Sequence, residues 1–222
     1  MIFDFNGVLL WDNELHEAAW RIYSDRLRGF PLSLEEMHAH VHGRVNADIF
    51  AYLLGEPVAE DELEQLAEEK ESIYRELFLT AKDPPQLSPG AIELLDDLYD
   101  KRIPMAIATS SAEPNVSFYI HHLQLDRWFS PERLVYDQGS FPGKPAPDIY
   151  LEAADRLGLD PRDCIVIEDS LAGIQAAAAA RVGWIVVLAT EERHHILSTV
   201  PEVNELIQSL QAFDHRRVQG LR

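Results

Sequence analysis

The sequence predicts an α/β protein: a doubly wound parallel sheet with helices on both faces, interrupted once by an all-helical insertion. Three observations predict it. The chain opens on an apolar strand, Met1-Ile-Phe-Asp4, that ends on a carboxylate. From Leu87 onward, short apolar runs alternate with helical periodicity, the pattern of parallel strands covered on both faces. Between the two, residues of about 13–83 carry helical periodicity alone.

The elements follow in order. Gly7 permits a sharp turn after the first strand. Asp12 or Asn13 starts a helix with Leu15, Ala18, Ala19, Ile22 and Leu27 on its apolar face, and Gly29 and Pro31 stop it. Ser33 and Glu36 form a capping-box pair for a second helix, expected to end at Gly43. A third runs from about Ala47 to Leu54. The fourth is long and acidic, with Leu63, Leu66, Ala67, Tyr74, Leu77 and Phe78 on one face and glutamates on the solvated one. Pro84-Pro85 closes the block as a stiff linker.

A helix around Ile92, Leu95 and Leu98 then leads to a strand over Pro104–Thr109. A helix to about Leu123 leads to a short strand at Leu134–Tyr136. One after Pro147 leads to Cys164–Glu168, and an alanine-rich one after Gly173 leads to Trp184–Leu188. The tail from His215 has no periodicity and is expected to fray. The fold expected is therefore a Rossmann-like core of residues 1–12 and 84–222 with an inserted helical cap domain of residues 13–83.

Composition narrows the function. Hydrophobic content of 46% and charged content of 26% are ordinary for a soluble globular chain. A net charge of −19 argues against nucleic acid and anionic membrane, which reward a basic face, and mildly favours a monomer. It leaves room for a small anionic substrate, because charges beyond about 8 Å are screened. The single cysteine, Cys164, lies in an apolar run and reads as a core residue, so a reducing, cytoplasmic setting is expected. Fewer residues precede Asp4 than a signal peptide needs, and the longest apolar region is broken by Gln175 and Arg181. His38, His40 and His42 offer an i, i+4 pair with no completing ligand and read as solvent-exposed. For Lys70 and Tyr74 on the fourth helix, packing and solubility are the default roles.

Four polar groups fall at the C-terminal ends of strands: Asp4, Thr109, Lys144 on the loop after the third strand, and Glu168-Asp169. In a parallel sheet those ends converge on one edge. A carboxylate, a hydroxyl, a cation and an acidic pair suit phosphoryl transfer. A carboxylate attacking an anionic phosphate must overcome repulsion that a lysine and an oxygen-bound Mg²⁺ relieve.

Asp4-Phe-Asn-Gly-Val-Leu, Ala108-Thr-Ser-Ser, Gly143-Lys-Pro-Ala-Pro-Asp-Ile-Tyr150 and Ile167-Glu-Asp-Ser170, with His16 and Trp20, resemble the haloacid dehalogenase superfamily, in the subgroup of β-phosphoglucomutase and related small-molecule phosphatases. The resemblance covers nearly the whole chain. It implies that Asp4 becomes an aspartyl phosphate and that Thr109 and Lys144 hold the phosphoryl oxygens. Asp4, the carbonyl of Asn6 and Asp169 would bind Mg²⁺, with Glu168 beside them. Ser110, Gly43, Arg44, Asn46 and His16 would meet the substrate, a small phosphorylated metabolite. A cis Lys144–Pro145 bond is also implied.

The sequence departs from that pattern at Asn6, where the family has an aspartate that acts as general acid and base. An amide has no exchangeable acid proton at neutral pH, and losing such catalysis costs about 10²- to 10⁴-fold. Three consequences stay open: slow turnover or a need for good leaving groups, replacement of the acid by His16, or phosphate binding without turnover. A sugar phosphomutase is the alternative activity, weakened because Ser111-Ala112-Glu113 stands where mutases of this kind grip a second phosphate. Dehalogenases also lack the second acid but need no metal, so the intact Glu168-Asp169 pair disfavours them.

Overall fold

The computed structural model describes residues 1–41, 44 and 46–220, with the backbone alone at positions 38, 192, 193, 219 and 220. The chain forms two compact units, Met1–Trp11 with Gln86–Arg222, and Asp12–Pro85.

The first unit is built on six parallel strands: β1 (Ile2–Phe3), β2 (Ala106–Ala112), β3 (Leu134–Asp137), β4 (Ile165–Glu168), β5 (Trp184–Leu188) and β6 (Glu205–Ile207). Their spatial order is β3-β2-β1-β4-β5-β6. Ile2 pairs with Ala106 on one side and Val166 on the other, and Phe3 with Ile107 and Ile167. β1 is therefore central, and both its side chains are fully buried, as a strand covered on both faces requires. The chain winds outward from β1 through β2 to β3, then returns to β4. At such a reversal the carboxyl ends of neighbouring strands leave a crevice. Asp4, the residue after β1, stands there.

Helices α5 (Ala91–Asp100), α6 (Glu113–Leu123), α7 (Asp148–Leu157), α8 (Leu171–Ala179) and α9 (Glu191–Leu197) belong to this unit. α8 begins two residues before Gly173, because Ser170 Oγ accepts from Gly173 N at 3.0 Å and caps it. β2 starts after Pro104 and Met105 and runs on to Ala112, with an irregular register against β3 between Ala108 and Ala112. α9 and β6 lie beyond the last element expected; three residues of strand are too few to show a period. The tail is not frayed over its described part. His215–Gly220 forms a 3-10 turn in which His215 meets Asp97 at 2.7 Å, Arg217 meets Glu205 at 2.6 Å and Val218 is buried. Those anchors are long-range ion pairs, which local periodicity does not record. Ile92 is exposed rather than packed.

The second unit holds α1 (Asn13–Arg28), α2 (Leu34–His40), α3 (Asn46–Leu54) and α4 (Glu60–Thr80). Trp20, Tyr23 and Phe50 meet in its interior at ring separations of 5.2 and 5.9 Å. Ile22 of α1 is exposed instead of core. The capping box is formed: Ser33 Oγ accepts from Glu36 N at 3.1 Å, and Glu36 Oε2 accepts from Ser33 N at 2.8 Å. Arg28 at 2.8 Å, then the Ser33 N–H and the Tyr52 hydroxyl, hold the Glu36 carboxyl well below the usual carboxylate range. α2 ends at His40, earlier than Gly43, which lies outside the described residues. No helix among the described residues is long and apolar enough to cross a membrane.

Candidate active site

Asp4 is pinned where β1 ends, its N–H donating to Ile167 O of β4 at 3.0 Å. Lys144 reaches it from 140 residues away: Nζ lies 2.6 Å from Asp4 Oδ1, 2.6 Å from Glu168 Oε1 and 3.3 Å from Ala108 O. The Lys144–Pro145 peptide bond is cis. Glu168, at the end of β4, is fully buried. Its Oε1 also accepts from the Tyr150 hydroxyl at 2.8 Å. Its Oε2 accepts from Asp169 N and Ser170 N at 2.8 Å and from Ser170 Oγ at 3.0 Å. Glu168 is thus the acceptor that orients Lys144.

The cluster is dominated by negative charge. Asp4, Glu168 and Asp169 each bring an oxygen within 4.8 Å of the others, and the Lys144 ammonium faces Asp4 and Glu168. Burial pushes the Asp4 carboxyl well above its usual range, against the pull of Lys144. Burial also works against ionised Glu168, but the Lys144 ammonium and the hydrogen bonds outweigh it and hold this carboxyl low. Desolvation opposes the Lys144 charge, and the carboxylates outweigh it, so the amine is raised well above its usual value. A hard divalent cation with oxygen ligands fits this donor set. Two glycines make room for the acids. A Cβ on Gly7 (φ 83°) would run into the Asp169 carboxylate, and one on Gly173 would run into the Glu168 carboxylate.

Thr109 is buried in β2, its Oγ1 accepting from Ser111 N at 3.1 Å, while Ser110 is exposed. Asn6 is held at both ends of its amide. Nδ2 donates to the Tyr119 hydroxyl at 3.1 Å, and Oδ1 accepts from Ser111 Oγ at 2.8 Å. Tyr119 in turn stacks on Phe5 with ring centroids 4.6 Å apart. Tyr119 and the positioning roles of Tyr150 and Ser111 escape a reading of the sequence, although Tyr150 closes one of its motifs. Each acts through a hydroxyl brought in by a helix or a strand end, and no spacing rule marks it.

Among the residues expected to meet substrate, His16 belongs to the helical unit. Its Nδ1 is 3.0 Å from Lys70 Nζ and its Nε2 is 3.3 Å from Asp12 Oδ2. Its ring stacks on Tyr74 at 4.0 Å, and the Tyr74 hydroxyl donates to Asp12 at 2.6 Å. Of the two roles expected for Lys70, packing is the one seen: it is a buried residue of this network, with Glu71 at 2.6 Å. Arg44 and Asn46 are exposed. Gly43 and His42 lie outside the described residues, and His40 stacks on Tyr52 rather than joining a metal group.

A family model described as haloacid dehalogenase-like hydrolase matches residues 1–181. The chain is similar to the phosphorylated carbohydrates phosphatase of Thermotoga maritima, 30% identical over 82% of this chain and 81% of that protein. It is 32% identical to hexitol phosphatase A of Escherichia coli over 92% of this chain and 87% of that one. Among solved structures it matches a family IA, variant 3 hydrolase of Entamoeba histolytica with a TM-score of 0.93 and 34% identity, covering 99% and 97% of the two chains. A β-phosphoglucomutase of Clostridium difficile follows the fold with a TM-score of 0.77 and 26% identity, covering 99% and 95%. With its order of strands, its convergent acidic cluster and these relatives, the chain belongs to the haloacid dehalogenase-like hydrolases.

Proposed function

We propose that this protein is a phosphatase of small organic phosphates, sugar phosphates or similar metabolites, working through a phosphorylated Asp4. The carrying observation is Lys144 clamped between Asp4 and Glu168 at 2.6 Å each, at the edge where β1, β2 and β4 end. The relatives support the substrate class, since one is named for phosphorylated carbohydrates and another for hexitol.

Asp4 supplies the attacking oxygen. Lys144 holds that carboxylate in place and offers positive charge to the transferring phosphoryl group. Glu168, locked by Tyr150 and Ser170, keeps the lysine aimed and ionised. Thr109 presents its hydroxyl beside the same edge. Mg²⁺, held by Asp4, Asp169 and the Asn6 carbonyl with Glu168 beside them, would neutralise phosphoryl charge and orient the phosphate. The helical unit would act as a cap that excludes water and selects the substrate, and the family resemblance is what assigns substrate contacts to His16, Arg44, Asn46 and Gly43.

The experiment is release of inorganic phosphate from a panel of sugar phosphates with and without Mg²⁺, for wild type and Asp4→Asn. Metal-dependent release by wild type alone is expected. Release that persists in Asp4→Asn would refute the nucleophile.

A further inference from the structure

The phosphatase reading leaves open what protonates the departing oxygen. A hydrolase that breaks a phosphate ester normally places an acid there. Among the described residues, each candidate in this site is already committed. Asn6 is an amide, fixed with its NH₂ on the Tyr119 hydroxyl and its carbonyl on Ser111 Oγ. The three N–H bonds of Lys144 have acceptors in Asp4, Glu168 and Ala108 O. Glu168 accepts at both oxygens from Lys144, Tyr150, Ser170 and the Asp169 N–H, so it has no proton to give. Asp4 is spent as the attacking carboxylate, and a carboxylate that holds a metal only accepts. Tyr119 is 1% exposed and packed flat on Phe5.

His16 is committed in the same way inside the helical unit. A lysine ammonium has no acceptor, so the Lys70 contact at 3.0 Å requires a bare Nδ1 on His16. The ring proton then sits on Nε2, which faces Asp12 at 3.3 Å. Both ring nitrogens are engaged within their own unit.

Resting on the phosphatase reading, we infer that the protein acts on phosphates whose leaving oxygen departs as an anion, acyl phosphates and phosphates on the anomeric carbon of a sugar, and that the fixed amide of Asn6 sets this limit. In the first step an Asp4 oxygen bonds to phosphorus while the bond from phosphorus to the leaving oxygen breaks. The electron pair leaves with that oxygen, which takes its proton later from solvent. Water then bonds to the phosphorus of the aspartyl phosphate, the Asp4 oxygen departs with its pair, and the water proton goes to solvent. Carboxylates ionise near about 4 and phenols near about 10, whereas an unactivated hydroxyl such as that of water needs about 16. The ring oxygen beside an anomeric hydroxyl withdraws charge and makes it a better leaving group than the other hydroxyls of the same sugar, so acyl phosphates depart most readily, anomeric phosphates next, and phosphates on unactivated hydroxyls least.

The test compares kcat/KM, which reports the step that expels the leaving group, across acetyl phosphate, p-nitrophenyl phosphate, phenyl phosphate, glucose 1-phosphate and glucose 6-phosphate with Mg²⁺. Wild type and Asn6→Asp are run together. Ser111 and Tyr119 each carry a hydroxyl able to donate to the new carboxylate, so the variant is accommodated. For wild type, kcat/KM is expected to fall steeply as the leaving-group pKa rises, with glucose 1-phosphate preferred to glucose 6-phosphate. In Asn6→Asp, glucose 6-phosphate is expected to gain about 10²- to 10⁴-fold relative to acetyl phosphate. Wild-type kcat/KM that ignores leaving-group pKa would overturn the inference and leave the phosphatase reading standing. An equal gain on every substrate in Asn6→Asp would do the same. No phosphate released from any substrate by either variant would overturn both.

Discussion

Lys144 and Asp4 stand 140 residues apart in the chain and 2.6 Å apart in the fold, with Glu168 at the same distance on the other side of the ammonium. Removing the lysine leaves two buried carboxylates facing each other without a protein cation between them. Lys144→Met is expected to abolish turnover and to cost about 3–5 kcal/mol, the usual result of breaking a buried ion pair. Thermal unfolding and phosphate release measure the two effects. A variant as stable as wild type would show that the pair is not the buried clamp described.

Tyr150 makes a second contribution to the same clamp, its hydroxyl donating to Glu168 at 2.8 Å from α7. Tyr150→Phe keeps the packing and deletes one donor to a charged acceptor. A loss of about 1.5–3 kcal/mol is expected by denaturant titration. A neutral result would mean that Glu168 finds another donor.

The acidic cluster predicts that Mg²⁺ stabilises the folded chain before any substrate is added. At a hundredfold excess over its dissociation constant the gain is about 2.7 kcal/mol. Thermal shift against MgCl₂ reads it, and Asp169→Asn is expected to shrink it. A melting temperature indifferent to Mg²⁺ in wild type would count against this metal site.

Asp97 links α5 to the tail through His215 and to Lys101, each at 2.7 Å. Lys101 first and His215 second lower its carboxyl pKa. A carboxylate so lowered stabilises the fold above its unfolded value of about 3.9, and that contribution is lost as pH falls through the folded value. The groups are partly exposed, so Asp97→Asn is expected to cost at most about 1 kcal/mol near neutrality. The deficit should close below pH about 3.9. A deficit unchanged at about pH 3 would assign it to packing instead.

The strand alternation and the residues at the strand ends were legible in the sequence because both depend on local chemistry. An apolar run buried on two faces needs no distant information, and a parallel sheet brings its carboxyl ends to one edge wherever the strands lie in the chain. Asp4, Thr109, Lys144, Glu168 and Asp169 could be named on that ground, as could the capping box of Ser33 and Glu36.

Three things were decided only by the tertiary structure. The tail is held by Asp97 and Glu205, partners far away in the chain, so its lack of periodicity misled. For Lys70 the sequence leaves packing and solubility both open, and the fold chooses packing: it is buried against His16, where α4 packs on α1. Asn6 shows in the sequence only as an absent acid. The hydroxyls of Ser111 and Tyr119 fix which way its amide points, and a hydrogen bond between residues more than a hundred positions apart has no local signature. The sequence by itself determined the parallel sheet and supplied the candidate site residues at its strand ends, all properties of short segments. The orientation and commitment of each polar group were set by the fold, because they depend on which donors and acceptors the packed elements bring within about 3 Å.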